Sequence, residues 1–348
     1  MCSTRQTDHV RERLVAIAPA RPVASGRGVA LAVASAATFG TSGTFGASLI
    51  DAGWSPAAAV TARITVSALV LTIPALIQLR GQWALLRRRG AGQMAAYGLI
   101  AVAGCQVCYF SAIARMPVGV ALLLEYLGII GVVGWLWVRH GQRPRRRTLA
   151  GTVAALAGLG LVLDLSGSAR LSLSGVVFAL LAAVGLATFF VLSAASTVPL
   201  PPIVLAWGGM CTGAIALGVV GAAGVLPMTA PARPVDFLGH QVSWLVPVLG
   251  LSLIAAVFAY VAAITATRLL GPKLASFIGL SEVLFAVLFA WILLGQLPSL
   301  MQFGGGVLIL AGVILVRADE LRGAPAAEPD AVAAELRIPQ GATPWNPQ

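Results

Sequence analysis

The stretch from Gly271 to Val316 constrains this chain most. It holds two apolar runs, each opened by a proline (Pro272, Pro298), with a short break at Gly295-Gln296-Leu297. Each run is about 20 residues long, the length that crosses roughly 30 Å of hydrocarbon at about 1.5 Å rise per residue. Glu282 sits in the middle of the first run, where an ionisable group is costly. A related arrangement occurs earlier, in MPVGVALLLEYLGIIGVVGWLW followed by TLAGTVAALAGLGLVL, with Glu125 in the comparable place. A repeated intramembrane carboxylate is therefore the feature that a reading of this chain has to explain.

The rest of the sequence fits an all-α integral membrane protein. Only 10% of the 348 residues are charged and 58% are hydrophobic, whereas soluble domains carry about 25% charge. Ten apolar runs follow one another, at roughly 28–50, 56–79, 91–114, 117–138, 147–164, 173–195, 201–223, 242–267, 272–294 and 299–317. Pro56, Pro117, Pro201, Pro272 and Pro298 stand where helices start, positions that do not need the missing amide hydrogen. Residues 1–27 and 318–348 read as cytoplasmic tails, the latter disordered on its Ala, Pro and Glu content.

Charge sets the topology. The formal net charge is +11, but the arginines lie in loops between apolar runs, which points to membrane orientation and not to nucleic acid. With the N-terminus inside, nineteen of the 23 basic residues fall on the inner side and three (Arg115, Arg170, Arg233) on the outer. Arg63 lies inside a run. The bias predicts both termini in the cytoplasm, in a cell membrane. Five runs (28–165) precede the loop near 166–172 and five (173–317) follow it, so the second half enters from the opposite side. Similar segments recur: AGLGLVLD near Asp164 and AGVILVRAD near Asp319. The expectation is ten transmembrane helices as two inverted five-helix repeats, the plan of many secondary transporters, with the substrate site near the midplane.

The candidate site residues follow from depth. Glu125 lies eight residues after Pro117 and Glu282 ten after Pro272, so the two acids approach the midplane from opposite faces, about 12 and 15 Å deep. Facing one cavity, they would perturb each other's protonation and could bind a substrate ammonium, carry a proton in exchange, or both. The competing reading is a protonated, hydrogen-bonded packing role. Arg63, seven residues after Pro56, could pair with a carboxylate or bind one, against helix packing or snorkelling outward. Tyr126 adjoins Glu125, and Tyr109 and Tyr260 lie in runs expected to face the cavity. Cys105 and Cys108 form a C-x-x-C inside an apolar run and read as small packing residues. The glycines, among them Gly40, Gly151, Gly158, Gly305 and Gly312, let helices approach closely, within the bundle or in a homodimer. His9, His140 and His240 lie outside the runs, and the chain has no H-E-x-x-H and no P-loop. No cofactor or metal is expected, and the energy source would be a gradient, with protons as one candidate coupling ion.

The layout and the segment ASFIGLSEVLFAVLFAWILLGQLPSLMQFGGGVLILAGVILV resemble the EamA family of the drug/metabolite transporter superfamily. Arg63 in VTARITVSALVL and the passage YFSAIARMPVGVALLLEYLGIIG also match the pattern, and Leu124 to Gly128 resembles the threonine/homoserine exporter branch. The resemblance implies an inner-membrane permease for small metabolites such as amino acids, commonly working outward, with helices 1, 3, 4, 6, 8 and 9 around the cavity and 5 and 10 peripheral. Two departures stand out. Many members have Glu-Pro where this chain has Glu282-Val283, which predicts a less bent ninth helix, and an acid where it has Gln296. The alternatives are a drug-efflux or uptake permease of the same fold and, from other classes, an intramembrane enzyme or a structural membrane protein.

Overall fold

The structure is a computed structural model that describes residues 26–80, 83, 90–116, 118–162, 172–194, 200–294 and 299–323. It is a helical bundle. In chain order the elements are α1 Gly26–Asp51, α2 Pro56–Leu79, α3 Ala91–Ile113, α4 Val118–Tyr126, α5 Gly128–His140, α6 Arg146–Val162, α7 Leu173–Ala194 and α8 Pro202–Ala222. After α8 come a hairpin of β1 Val235–Phe237 and β2 His240–Val242, then α9 Leu245–Leu270, α10 Pro272–Gly279, α11 Ser281–Leu294 and α12 Leu300–Gly323. Among the described residues six helices are long and apolar enough to cross a membrane: α1, α2, α3, α7, α8 and α9. Of the other four apolar runs, the fourth and ninth are each split into two helices, the fifth is the shorter α6, and the tenth is the continuous α12.

Local sequence explains the ends. Ser55 caps α2, its hydroxyl accepting from the Ala58 amide at 3.2 Å, and Pro56 fills the first turn. Gly141, at φ 64°, closes α5 in the left-handed conformation, with the Gln142 amide reaching back to the Leu136 carbonyl. The wide, π-helical stretches Tyr97–Gly104 in α3 and Gly250–Phe258 in α9 occupy matching places in the two halves. Such stretches leave carbonyls out of the ordinary ladder, and side chains from neighbouring helices reach into the one in α9. Ser67 donates to the Ser252 carbonyl at 3.0 Å and Arg63 to that of Ala255. At the end of this stretch Ser35 donates to the Ala259 carbonyl at 2.9 Å.

The two halves pack in a reciprocal pattern. Helix α1 lies on α9 and on α10 and α11; in the same way α7 lies on α3 and on α4 and α5. α2 packs on α9 as α8 packs on α3, while α2 runs along α8 and α6 along α12. The α6–α12 contact depends on glycine. A Cβ on Gly158 would stand 2.5 Å from the Gly305 carbonyl, and one on Gly312 would stand 2.6 Å from that of Gly151. These glycines therefore pack helices within the bundle.

Outward-facing apolar side chains are abundant. Leu300, Phe303, Val307, Leu310 and Ile314 form one exposed stripe on α12, and Leu69, Ile73, Leu76 and Ile77 another on α2. Exposed apolar surface on this scale has no place on a soluble monomer but suits contact with lipid. The chain is a multi-pass membrane protein.

Two expectations need correction. The fold is not purely α: the loop after α8 holds the β-hairpin, whose turn residues Leu238 and Gly239 have φ of 55° and 77°. That is the two-positive-φ geometry that matches strand twist. Residues 318–323 are not a disordered tail, since α12 continues to Gly323. Asp319 is buried there, accepting from the Thr148 hydroxyl at 2.6 Å and lying 3.5 Å from the Lys273 ammonium. The ninth run breaks at Leu280, with valine and not proline at position 283. There the amides of Leu280 and Val283 make tightened bonds three residues back, while the Gly279 carbonyl accepts the Tyr126 hydroxyl at 3.0 Å. An outside donor on that carbonyl stabilises the break without proline. The expectations for residues 1–25, Asp164, the 166–171 loop, the 295–298 break and the tail beyond 323 lie outside the described residues.

Candidate functional site

At the centre of the bundle is a cavity enclosing about 800 Å³ of space free of protein atoms, part of it open to solvent. Its walls come from α1, α3, α4, α7, α9, α10 and the start of α11. These correspond to the first, third, fourth, sixth, eighth and ninth apolar runs. Glu125, Glu282, Tyr126, Tyr109 and Tyr260 all line it. The sequence reading also singled out Arg63, which does not.

Two helix breaks place the acids. α4 ends at Tyr126 and the chain turns at Leu127, where the Leu127 and Ile130 amides bond three residues back at 3.2 and 3.0 Å. The turn at Leu280 between α10 and α11 has the same form. Glu125 lies just before the first break and Glu282 just after the second, so the acids do not occupy equivalent positions in the two halves, as their spacing had suggested. They nonetheless reach the same level. The Tyr126 hydroxyl donates to Glu282 Oε2 at 2.7 Å, a first-half side chain gripping a second-half carboxylate. Glu125 is held more weakly, with the Cys105 thiol 3.5 Å from Oε1. Cys105 is thus a neighbour of the acid as well as a packing residue.

Arg63 sits behind the wall, 1% exposed. Its Nη1 donates to Gln106 Oε1 at 2.5 Å and to the Ser42 hydroxyl at 3.3 Å, and its Nη2 to the Ala255 carbonyl. It neither snorkels outward nor, among the described residues, pairs with a glutamate. Hydrogen bonds to α1, α3 and α9 use the guanidinium instead. Its charge is still felt at the wall, since the Tyr260 ring lies 6.0 Å from the guanidinium carbon.

Several contributors escaped the sequence reading. Gln106 links Arg63 to the cavity, donating through Nε2 to the Tyr260 hydroxyl at 3.3 Å. A signal was present, because an amide inside an apolar run needs buried partners. Phe189 and Phe190 meet edge-to-face at 5.1 Å, and Phe189 meets Tyr260 at 5.5 Å. Phe39 packs on the Tyr260 ring at 5.2 Å. Nothing in spacing alone separated these aromatics from packing ones. Among the described residues no group of three or more His, Cys, Asp or Glu side chains could hold a metal ion.

The sequence profile of the EamA-like transporter family matches residues 26–164 and 173–318, one match in each half. The chain belongs to the EamA-like transporter family. In this EamA-like protein the cavity lies between the two matched repeats and draws walls from both. A solved crystal structure is similar in fold, with a TM-score of 0.67 and 19% identity over 85% of this chain and 98% of its own. No curated protein matches the sequence.

Proposed function

We propose that this EamA-like protein is a secondary transporter of the cell membrane that exports small metabolites by alternating access. Small compounds bearing an ammonium group are the proposed cargo. Its ten apolar runs would be ten spans, arranged as two inverted five-helix repeats with both termini in the cytoplasm. Supporting this are the reciprocal packing of the halves, which exchange partners as a two-fold relation requires, and the arginine-rich loops on one side.

The observation that carries the reading is the contact of Tyr126 with Glu282 across the two halves, inside a cavity that also holds Glu125. Acids buried within a bundle and facing space are costly unless they meet a cation or a proton during a working cycle. Rocking of one repeat against the other would break and remake that contact, coupling the occupancy of the acids to the side that is open.

Counterflow in proteoliposomes tests the reading. A carrier exchanges labelled for unlabelled cargo with saturation; chemical conversion of the cargo would mark an enzyme, and neither would mark a scaffold. For proton coupling, Glu125→Gln and Glu282→Gln are made separately and pH-driven uptake is followed. Unchanged pH dependence in both removes the carboxylates as couplers.

A further inference from the structure

The cavity wall is electrically one-sided. Glu125 and Glu282 line it, and among the described residues no lysine, arginine or histidine does. Arg63, the nearest cation by contact, spends its guanidinium on Ser42, Gln106 and the Ala255 carbonyl behind the wall. Three hydroxyls at the wall are committed as donors, Ser35 to the Ala259 carbonyl, Thr267 to the Ala263 carbonyl and Tyr126 to Glu282; those of Ser42 and Tyr260 accept from Arg63 and Gln106, so with Tyr109 they offer an anion neutral donors but no charge. A partial positive charge points from the helix start after the break at Leu280, at the head of α11. Glu282 occupies that first turn itself.

A substrate carboxylate would therefore enter beside two acids with no cation to meet it, leaving a buried charge unpaired. A positive group finds the opposite. It meets two carboxylates and the contiguous rings of Phe39, Tyr260, Phe189 and Phe190. Aromatic faces attract cations, most strongly where water is excluded.

We infer that the cavity selects organic monocations, amines or quaternary ammonium compounds bearing an apolar or aromatic group, over zwitterionic amino acids. The acid pair and the aromatic wall recognise the cation, and a proton competes for the same carboxylates. This rests on the transporter reading for its purpose, but the binding chemistry stands by itself and is tested separately.

The test is isothermal titration of the purified full chain in detergent with four ligands sharing one ring: benzyltrimethylammonium, 2-phenylethylammonium, phenylalanine and 3-phenylpropionate. The second and third differ by the carboxylate alone. Both monocations should bind at least about 10-fold more tightly than phenylalanine, the low end of what a buried charged contact contributes, and phenylpropionate should give no heat. Glu282→Gln should weaken the monocations by a similar factor. Should that variant not fold, the wild-type protein still decides: its affinity for benzyltrimethylammonium, which cannot titrate, must fall from mildly alkaline to mildly acidic pH. Phenylalanine binding as tightly as phenylethylammonium overturns the assignment, as does folded protein that ignores both monocations at millimolar concentration or binds them without pH dependence. Counterflow separates the two ideas. Monocations that bind but are not exchanged sink the transporter reading and leave the site assignment. Exchange of a zwitterion without monocation binding does the reverse.

Discussion

Arg63 is the residue whose replacement best distinguishes scaffold from binding site. Its guanidinium is 1% exposed and ties α2 to α1 through Ser42, to α3 through Gln106 and to α9 through the Ala255 carbonyl. Arg63→Met keeps most of the side-chain volume and removes every donor. The Ala255 carbonyl lies in the π-helical stretch and the Gln106 carbonyl oxygen lies beside it, so two buried acceptors lose their partner. Each costs about 1–3 kcal/mol, or about 2–6 kcal/mol together. Water entering from the cavity moves the result toward the low end, and so does release from desolvating a charge. At roughly 2 °C per kcal/mol for a chain of this size, the melting temperature in detergent should fall by about 4–12 °C. Arg63→Lys should recover little, because a single ammonium cannot serve three helices as a planar fork does. Below the transition, binding of benzyltrimethylammonium should be retained or tightened, since the charge removed has the ligand's sign. Scanning fluorimetry and titration on the same preparation make the comparison. A Met variant that melts like the wild type but no longer binds ligand would refute the argument, by placing the guanidinium at the ligand.

Other consequences can be measured on the same preparations. Tyr126→Phe removes the single hydroxyl proton shared between Glu282 Oε2 at 2.7 Å and the Gly279 carbonyl at 3.0 Å. Losing one charge-assisted bond of about 1.5–3 kcal/mol should slow counterflow roughly 10-fold or more. Gly158→Ala places a Cβ 2.5 Å from the Gly305 carbonyl and should cost about 1–3 kcal/mol by forcing α6 from α12, whereas Gly160→Ala meets no atom within 4 Å and should be silent. Thermal melts of the two variants check the contrast. Asp319→Asn keeps the hydroxyl contact with Thr148 and loses the attraction to Lys273 at 3.5 Å and Arg145 at 3.9 Å. It should lower stability modestly and reduce the effect of added salt on melting; a salt response identical to wild type would show that the ion pairs contribute nothing.

Much of the bundle could be read from the chain because the deciding signals are local. Pro56 with Ser55 before it fixes the start of α2, and the apolar length from Leu173 to Ala194 fixes α7. Counting residues along helices gave similar depths for Glu125 and Glu282, which line the cavity together with Tyr126, Tyr109 and Tyr260. What could not be read depends on contacts between distant segments. At the break at Leu280 the Gly279 carbonyl meets the Tyr126 hydroxyl, 153 positions away. Arg63 turned away from the cavity because the π-helical stretch of α9 offered a carbonyl, and no periodicity in the sequence announces that. The hairpin after α8 lay in a loop too short for strand patterning to stand out.

The relation between the halves is where symmetry and function part. Matching helices pair reciprocally and carry matching irregularities, a wide turn in α3 and α9 and a break at Leu127 and Leu280. Yet Glu125 precedes its break and Glu282 follows the other, and their donors differ, a thiol at 3.5 Å against a phenol at 2.7 Å. A thiol is a weak donor and a phenol to a carboxylate a strong one, so the two acids cannot respond alike to a proton or a cation. If repeats run in opposite directions, an acid before the break in one and after it in the other lies on the same side of both breaks. In such an inverted frame the two unequal acids would stand together on one side of the breaks. An arrangement of that kind gives an arriving cation a first and a second partner instead of two identical ones, and Glu125→Gln and Glu282→Gln should accordingly differ in their effect on affinity.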